Sequence, residues 1–245
     1  MGFLPSAFCL QDAKKEGESV VMSRIKGGRD RVSDAMTRRL PAYYRQLCLL
    51  EKQDVACISS RTLGEVMGLT DSQIRQDLSS FGGFGRQGRG YEVKALRETI
   101  ESILGLDQGH KLIIIGAGRL GTALAAFHGF SNAGFSVAAM FDADPAQCGK
   151  DVDGIPVLPA SEIKPWLKEN PVQIAVIAVP KNSAQAAVDA ACAGGVHGIL
   201  NFAEVDLTVP DDVLIHSVHL SDSLMALSFR MHEQEILTGK KTDWT

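Results

Sequence analysis

Residues 112–121 read Leu-Ile-Ile-Ile-Gly-Ala-Gly-Arg-Leu-Gly. The apolar run predicts a buried strand, and the G-x-G-x-x-G spacing after it predicts a turn that opens into a helix. In such a turn Gly116 permits the tight bend, Gly118 lets a pyrophosphate approach the backbone, and Gly121 lets the helix pack closely on the strand. The N–H groups that begin the helix suit an anion. The segment therefore predicts a dinucleotide site formed by Gly116, Ala117, Gly118, Arg119, Leu120 and Gly121.

An acid follows the next predicted strand. Asp142 lies 26 residues after Gly116, where a carboxylate would hold the ribose hydroxyls of adenosine. A carboxylate there repels a 2′-phosphate, so this position favours NAD(H) over NADP(H). The alternative is an ordinary strand–helix turn followed by a surface acid.

From Lys111 onward, apolar runs alternate with helical patterns, notably over Leu120–Phe130 and Ser183–Ala193. The predicted strands are Lys111–Ile115, Phe135–Phe141, Gln173–Val179, Gly198–Phe202 and Val213–Val218. This alternation predicts an α/β fold with a doubly wound parallel sheet of Rossmann type. An amphipathic helix is predicted over Ser221–Leu237, to pack on its own domain or on a partner. Its apolar face would contain Leu224, Leu227, Met231 and Ile236.

The first half of the chain has a different pattern. A helix is predicted over Ser33–Lys52, kinked or starting at Pro41. A short helix follows over Thr62–Met67 and ends at Gly68, and Thr70 opens another with capping-box spacing to Gln73. The glycine-rich segment 82–91 cannot be helical and predicts a basic hairpin. This order is that of a winged helix-turn-helix, with Val93–Leu104 as a linking helix.

The charge is uneven, with a net −4 for the 245 residues. Residues 24–91 contain 12 Lys/Arg and 7 Asp/Glu, a net of +5, whereas residues 92–245 contain 11 and 19, a net of −8. A basic segment favours contact with a polyanion. On the predicted recognition helix, the polar side chains that can reach base edges are Ser72, Gln73, Arg75 and Gln76. Arg86 and Arg89 can enter the minor groove or grip phosphates. The alternative is a small helical domain with a basic face.

The sequence does not support a membrane protein, a zinc protein or an enzyme. No apolar run approaches the ~18 residues of a membrane span. The five cysteines and six histidines lack the spacing of a zinc site, so we expect no metal, reduced thiols and a cytoplasmic location. No catalytic set is recognisable, which argues against an enzyme. Residues 1–30 read as a disordered extension, and Met22 is an alternative start.

Nine segments over residues 33–237 together resemble the Rex family of redox-sensing transcriptional repressors. They are residues 39–45, 58–60, 74–82, 88–91, 116–121, 141–145, 178–180, 198–202 and 227–229. The resemblance implies a winged helix over 31–92, a Rossmann domain over 93–219, and a homodimer that exchanges a helix within 220–245. It implies binding to an inverted-repeat operator when free or NAD⁺-bound, and release by NADH. It also places Val179, Pro180 and Asn201 near the ribose and nicotinamide, and Ser59 among the DNA contacts.

The chain departs from the pattern of that family at positions with implied roles. Gln76 stands where many members have a second basic residue. In the implied switch, Arg45 would pair with an acid near the last helix in one state, and that acid would meet a tyrosine in the other. Here the acid position is His219 and the tyrosine position is Phe127. We therefore predict altered coupling that is weaker, dependent on pH, or carried by Asp222.

Two other functions remain open at this stage. An NAD-dependent dehydrogenase would share the glycine turn, but its proton donor could only be His219. A coenzyme A-binding module would also share the turn, although Asp142 suits a ribose diol better than a 3′-phosphate.

Overall fold

A computed structural model describes residues 34–79, 85–86 and 90–238, without the side chains of Asp34 and Arg86. The chain divides between Gln108 and Gly109 into two compact units. The predicted extension over 1–30, the alternative start at Met22, and Arg89 lie outside the described residues.

The N-terminal unit contains four helices and a small antiparallel sheet among its described residues. In chain order these are α1 (Asp34–Lys52), β1 (Cys57–Ile58), α2 (Ser60–Met67), α3 (Asp71–Ser79), β2 (Gly85–Arg86), β3 (Gly90–Glu92) and α4 (Val93–Ile103). The strands are ordered β1-β3-β2, with β3 antiparallel to both neighbours. This arrangement confirms the predicted winged helix-turn-helix.

Local sequence explains where α2 and α3 begin and end. The Ser59 hydroxyl accepts the N–H of Thr62 at 3.0 Å and so caps α2, and Gly68 ends α2 in the left-handed conformation, with φ +67°. The Thr70 hydroxyl accepts the N–H of Gln73 at 3.2 Å, as the predicted cap requires. The turn between the two helices is therefore fixed by hydrogen bonds that the sequence pattern indicated.

The first helix runs through Pro41 without a break, which contradicts one of the two predicted alternatives. A proline inside a helix removes one backbone hydrogen bond. Here Met36 and Leu40 are buried in the core of the unit, and Arg39 is bonded to Asp77. These contacts hold the turns before the proline, so the predicted helix start at Pro41 is wrong.

Helix α4 is part of the N-terminal core. Val93, Leu96 and Ile100 are buried there against α1 and the strands. Arg97 on the same helix lies 2.7 Å from Glu101 and 2.6 Å from Glu51 of α1. The sequence assigned this helix to the second domain, but its apolar face belongs to the first unit.

The C-terminal unit is a seven-stranded sheet with helices between the strands. Its elements are β4 (His110–Ile115), α5 (Arg119–Ala125), α6 (Gly129–Asn132), β5 (Phe135–Asp142), β6 (Asp151–Val152), β7 (Ile155–Pro159), α7 (Ile163–Glu169), β8 (Ile174–Ile177), α8 (Lys181–Ala193), β9 (Gly198–Asn201), β10 (Leu214–Ser217) and α9 (Leu220–Thr238). The strand order is β10-β9-β8-β4-β5-β7-β6, parallel except for the β6–β7 pair. The six parallel strands thus have the Rossmann order 3-2-1-4-5-6.

The five predicted strands are all present; two are one residue longer than predicted and three are shorter. The predicted helix over Leu120–Phe130 is divided instead into α5 and α6. The predictions did not include the β6–β7 hairpin or α7. The hairpin pairs only two residues on each side, too short for an alternating pattern to be recognised.

The last helix, α9, has no buried residue in the single chain. Its large apolar side chains lie on more than the one predicted face, since Met225 and Phe229 are exposed together with Leu224 and Leu227. A helix that is apolar around most of its circumference is normally covered by other protein. Among the described helices, none is both long and apolar enough to cross a membrane.

Candidate dinucleotide site and DNA interface

The glycine turn lies at the point where the strand order of the sheet reverses. It follows β4, whose neighbours are β5 on one side and β8 on the other. In open parallel sheets, ligands bind outside the carboxyl ends of the strands at such a point. The fold therefore places the predicted site residues where a dinucleotide would bind.

Each glycine of the turn has a distinct surrounding. Gly116 has φ +108°, and a side chain there would meet the backbone carbonyl of Ala178. A side chain at Gly121 would meet the carbonyl oxygen of Gly116. By contrast, a Cβ at Gly118 would meet no protein atom within 4 Å. Gly116 and Gly121 are thus required by protein packing, whereas Gly118 leaves open space beside the start of α5.

Asp142 at the end of β5 is bonded directly to the turn. Its Oδ2 accepts the N–H of Ala117 at 2.6 Å, and its Oδ1 accepts the N–H of Asp144 at 2.8 Å. The carboxylate is half-buried, so lone pairs remain for ribose hydroxyls. Arg119 and Leu120, the first residues of α5, are exposed.

The residues carried over from the family resemblance lie at the same edge of the sheet. Val179 and Pro180 follow β8 directly, and a Cγ of Val179 is 3.0 Å from the position of a Cβ on Gly116. Asn201 ends β9 and is fully buried. Its amide nitrogen donates to Val205 O and Ser217 Oγ, both at 3.1 Å, and its Oδ1 accepts the N–H of Ala203 at 2.8 Å. Its side chain thus holds the loop after β9 and the end of β10 together.

Five of the predicted DNA-contacting residues belong to the helix-turn-helix, four on α3 and one at the cap of α2. On α3, Ser72, Arg75 and Gln76 are exposed and Gln73 is half-buried. Ser59 is exposed at the cap of α2. Arg86 lies on β2, with its side chain outside the described residues. The structure therefore gathers the predicted α2 and α3 residues on one helix-turn-helix.

A buried ion pair fixes α3 against α1, and sequence reasoning did not find it. Arg39 donates to both oxygens of Asp77 at 2.8 Å, and the Tyr43 hydroxyl donates to Oδ2 at 2.9 Å. Desolvation and the neighbouring Asp77 raise the pKa of Tyr43, which keeps its phenol protonated as a donor. Arg39 and Asp77 are 38 residues apart, so no local spacing could reveal their contact.

The implied switch residues are distributed over both units. Arg45 is exposed on α1. Phe127, between α5 and α6, is 57% exposed and packs edge-to-face on Phe130. His219 is half-buried immediately before α9, and Asp222 is exposed in the first turn of that helix. No cluster of metal-ligating side chains occurs in the described part of the chain.

Two family models match separate parts of the chain. One, described as "Putative DNA-binding protein N-terminus", covers residues 31–79, and the other, described as "CoA binding domain", covers residues 107–205. A winged helix-turn-helix joined to a Rossmann domain defines a class of DNA-binding proteins with a nucleotide-binding fold.

Curated relatives identify the family. The "Redox-sensing transcriptional repressor Rex" of Thermoanaerobacter pseudethanolicus is 45% identical over 211 residues, which is 86% of this chain and 94% of that protein. The Rex of Clostridium botulinum (strain Alaska E43 / Type E3) is 47% identical over 203 residues, 83% of this chain and 97% of that protein. The chain belongs to the Rex family of redox-sensing transcriptional repressors. This is a family of regulators and not of enzymes, as we predicted from the lack of a recognisable catalytic set in the sequence.

Solved structures of the Rex-family repressor RSP agree with this assignment. The complex of RSP with NAD⁺ and operator DNA matches with a TM-score of 0.79 and 44% identity, over 87% of this chain and 100% of that one. The complex of RSP with NADH matches with a TM-score of 0.78 and 42% identity, over 87% and 100%.

Proposed function

We propose that this protein is a transcriptional repressor that binds an inverted-repeat operator when free or NAD⁺-bound and leaves it when NADH binds. The observation that carries the proposal is the position of the Asp142 carboxylate, which is bonded to Ala117 inside the glycine turn. RSP, a relative that aligns over most of this chain, binds NAD⁺ together with operator DNA and also binds NADH.

The dinucleotide would lie along the carboxyl edge of the sheet. Its pyrophosphate would approach the backbone at Gly118, where the structure leaves open space, and would meet the N-terminus of α5. Asp142 would accept hydrogen bonds from the hydroxyls of the adenosine ribose. Val179 and Pro180 would line the nicotinamide side, and Asn201 would support that side by holding the loop beneath it.

DNA would be read by α3, which the pair between Arg39 and Asp77 holds in place. Arg75 and Gln76 present the donors and acceptors that suit guanine and adenine in the major groove. The β2–β3 hairpin would place Arg86 and Arg89 beside the adjacent minor groove or phosphates. A twofold dimer then predicts two half-sites in an inverted repeat, separated by the distance between the two recognition helices.

A second copy of the chain is the proposed cover for α9. The large apolar side chains of this helix are exposed in the single chain, among them Leu224, Leu227 and Phe229. An interface of this kind is self-complementary in a twofold dimer. We expect size-exclusion chromatography with light scattering to give twice the mass of 26.3 kDa, and L227D to yield the monomer.

The switch needs NADH to bind one state of the dimer better than NAD⁺ does. The two ligands differ by a hydride and by the charge of the nicotinamide ring. A shift from 1:99 to 99:1 between states requires about 5.5 kcal/mol of differential affinity.

The protein would act in the cytoplasm, where the DNA is. Its described cysteines Cys48, Cys57, Cys148 and Cys192 are unpaired, as a reducing compartment favours.

Coenzyme A is the second candidate ligand, because a CoA-binding family model matches residues 107–205. Calorimetry with NADH, NAD⁺ and CoA on the full chain distinguishes the ligands. We expect NADH to bind more tightly than NAD⁺, and CoA to bind weakly, because its ribose 3′-phosphate would approach Asp142. Tighter binding of CoA than of both dinucleotides would contradict the proposal.

A further inference from the structure

The exposed face of α3 carries an ion pair that the protein forms without DNA. Nη1 of Arg75 donates to Asp71 Oδ2 at 2.6 Å, and Nη2 donates to Oδ1 at 3.0 Å. Nη1 also lies 3.4 Å from the hydroxyl of Ser60, at the start of α2. Both partners face solvent, with 56% of the Arg75 side chain and 41% of the Asp71 side chain exposed. These contacts favour one orientation of the arginine at the surface.

The carboxylate leaves Nε of the guanidinium without a hydrogen-bond partner among the described residues. A guanidinium has five N–H bonds in one plane, two on each Nη and one on Nε. Asp71 bridges the end formed by Nη1 and Nη2. Within the described part of the chain, no hydrogen bond of Arg75 involves Nε. The parallel N–H bonds of Nε and Nη2 match the O6 and N7 acceptors of a guanine in the major groove.

We propose that Asp71 sets the base specificity of the protein by holding Arg75 so that its Nε–Nη2 edge faces a guanine. The inference rests on the proposed function, in which α3 reads operator DNA. Asp71 acts here as a positioning residue. A free arginine is attracted to any phosphate, whereas a held arginine meets a base edge in one geometry. The negative charge of Asp71 also repels phosphates, so it lowers affinity for random DNA while it increases discrimination.

Asp71 stays ionised in this position. Its hydrogen bond from Arg75 lowers the pKa of Asp71 below its usual value. The residue also lies in the first turn of α3, where a negative charge meets the positive end of the helix dipole. The ion pair is therefore intact at neutral pH.

A second pair on α2 provides a matched control. Nε of Arg61 lies 3.1 Å from Oε1 of Glu65, also four residues along one exposed helix. In that pair the carboxylate occupies Nε, which a guanine contact would need. E65Q thus removes the same charge from the neighbouring helix without changing the support of Arg75.

The test is selection of bound sequences from a randomised DNA duplex by the full chain, with wild type, D71N, R75A, R75K and E65Q. We expect wild type to select a guanine in each half-site that R75A no longer selects. D71N should reduce the preference for that guanine about tenfold and leave the other positions unchanged. R75K should lose the same preference, because lysine lacks parallel donors. E65Q should select the wild-type sequence, and D71N and E65Q should bind random duplex equally well or better than wild type.

Three outcomes would contradict the inference alone, and a fourth would also contradict the proposed function. The role of Asp71 would be contradicted if D71N kept the wild-type preference at that position or lost the preference at every position. It would also be contradicted if R75A selected the same sequence as wild type. In all three the wild-type protein still selects an operator, so the proposed function stands. If wild type enriched no sequence at all, operator binding itself would be contradicted. Equal thermal midpoints of wild type and D71N exclude unfolding as the cause.

Discussion

The N–H of Ala117, in the glycine turn after β4, donates to the carboxylate of Asp142 at the end of β5, with 2.6 Å between the nitrogen and Oδ2. The neighbouring Oδ1 accepts the N–H of Asp144 at 2.8 Å. The acid is thus fixed relative to the turn before any ligand arrives. Such preorganisation lowers the entropy lost on binding.

D142N should weaken NADH binding and reduce the preference for NADH over NADPH. The change keeps the size of the side chain but removes the charge that attracts ribose hydroxyls and repels a 2′-phosphate. Its amide nitrogen also cannot accept the N–H of Ala117 or Asp144 that one carboxylate oxygen accepts. Loss of a hydrogen bond to a charged group costs about 1.5–3 kcal/mol, so we expect the Kd for NADH to rise roughly tenfold or more. Fluorescence titration with both nucleotides measures the change. D153N is the control, because Asp153 is exposed in the β6–β7 turn at φ +52°, which asparagine tolerates. An unchanged NADH:NADPH ratio in D142N would contradict the assignment.

G118A and G121A should separate ligand contact from folding. A methyl group at Gly118 meets no protein atom within 4 Å, and its φ of −75° suits alanine, so G118A should keep the wild-type thermal midpoint. The methyl group would occupy the approach of the pyrophosphate, and we expect NADH affinity to fall by about tenfold or more. In G121A the Cβ meets the carbonyl of Gly116, so stability should fall by about 1–3 kcal/mol as well. Wild-type NADH affinity in G118A would show that the pyrophosphate does not approach at that residue.

R39A should destabilise the N-terminal unit and abolish DNA binding. Among the described residues it leaves buried Asp77 with the hydroxyl of Tyr43 as its one side-chain partner, and breaking such a pair costs about 3 kcal/mol. Urea unfolding measures the loss, and R61A, which breaks an exposed pair, should stay within about 0.5 kcal/mol of wild type. NADH binding by the C-terminal unit should persist. A wild-type unfolding free energy in R39A would mean that the pair does not hold α3.

Sequence reasoning identified the elements of the fold and most of the site because their signals are local. The glycine turn, the acid 26 residues later and the caps of α2 and α3 each depend on near neighbours along the chain. The contacts it missed join distant residues. The position of α4 depends on which core accepts Leu96 and Ile100, and hydrophobic periodicity gives no information about that choice.

The contacts of Asn201 also could not be predicted from the sequence. The family resemblance placed it beside the nicotinamide, but its amide is bonded to Val205, Ala203 and Ser217. Ser217 is 16 residues away and three residues before α9. Only the pairing of β9 with β10 brings the two side chains together.

Release of DNA by NADH should depend on pH in this chain. His219 stands where the implied switch has an acid, and Arg45 cannot pair with it as it would with a carboxylate. We expect the fraction released at a fixed NADH concentration to differ between about pH 6 and pH 8. H219Q should remove the difference, whereas H232Q, at an exposed position within α9, should keep it. Full release that is the same at both pH values and unaffected by D222A would contradict a rewired switch.

The central claim is that the protein distinguishes NADH from NAD⁺ and reports the difference to DNA. Fluorescence anisotropy of its selected operator duplex, titrated with NADH at a constant total concentration of NADH and NAD⁺, tests this most directly. We predict that the duplex stays bound in NAD⁺ and is released as the NADH fraction rises, and that G118A retains more of the duplex than wild type at each NADH fraction. Equal DNA affinity in saturating NADH and saturating NAD⁺ would contradict the account.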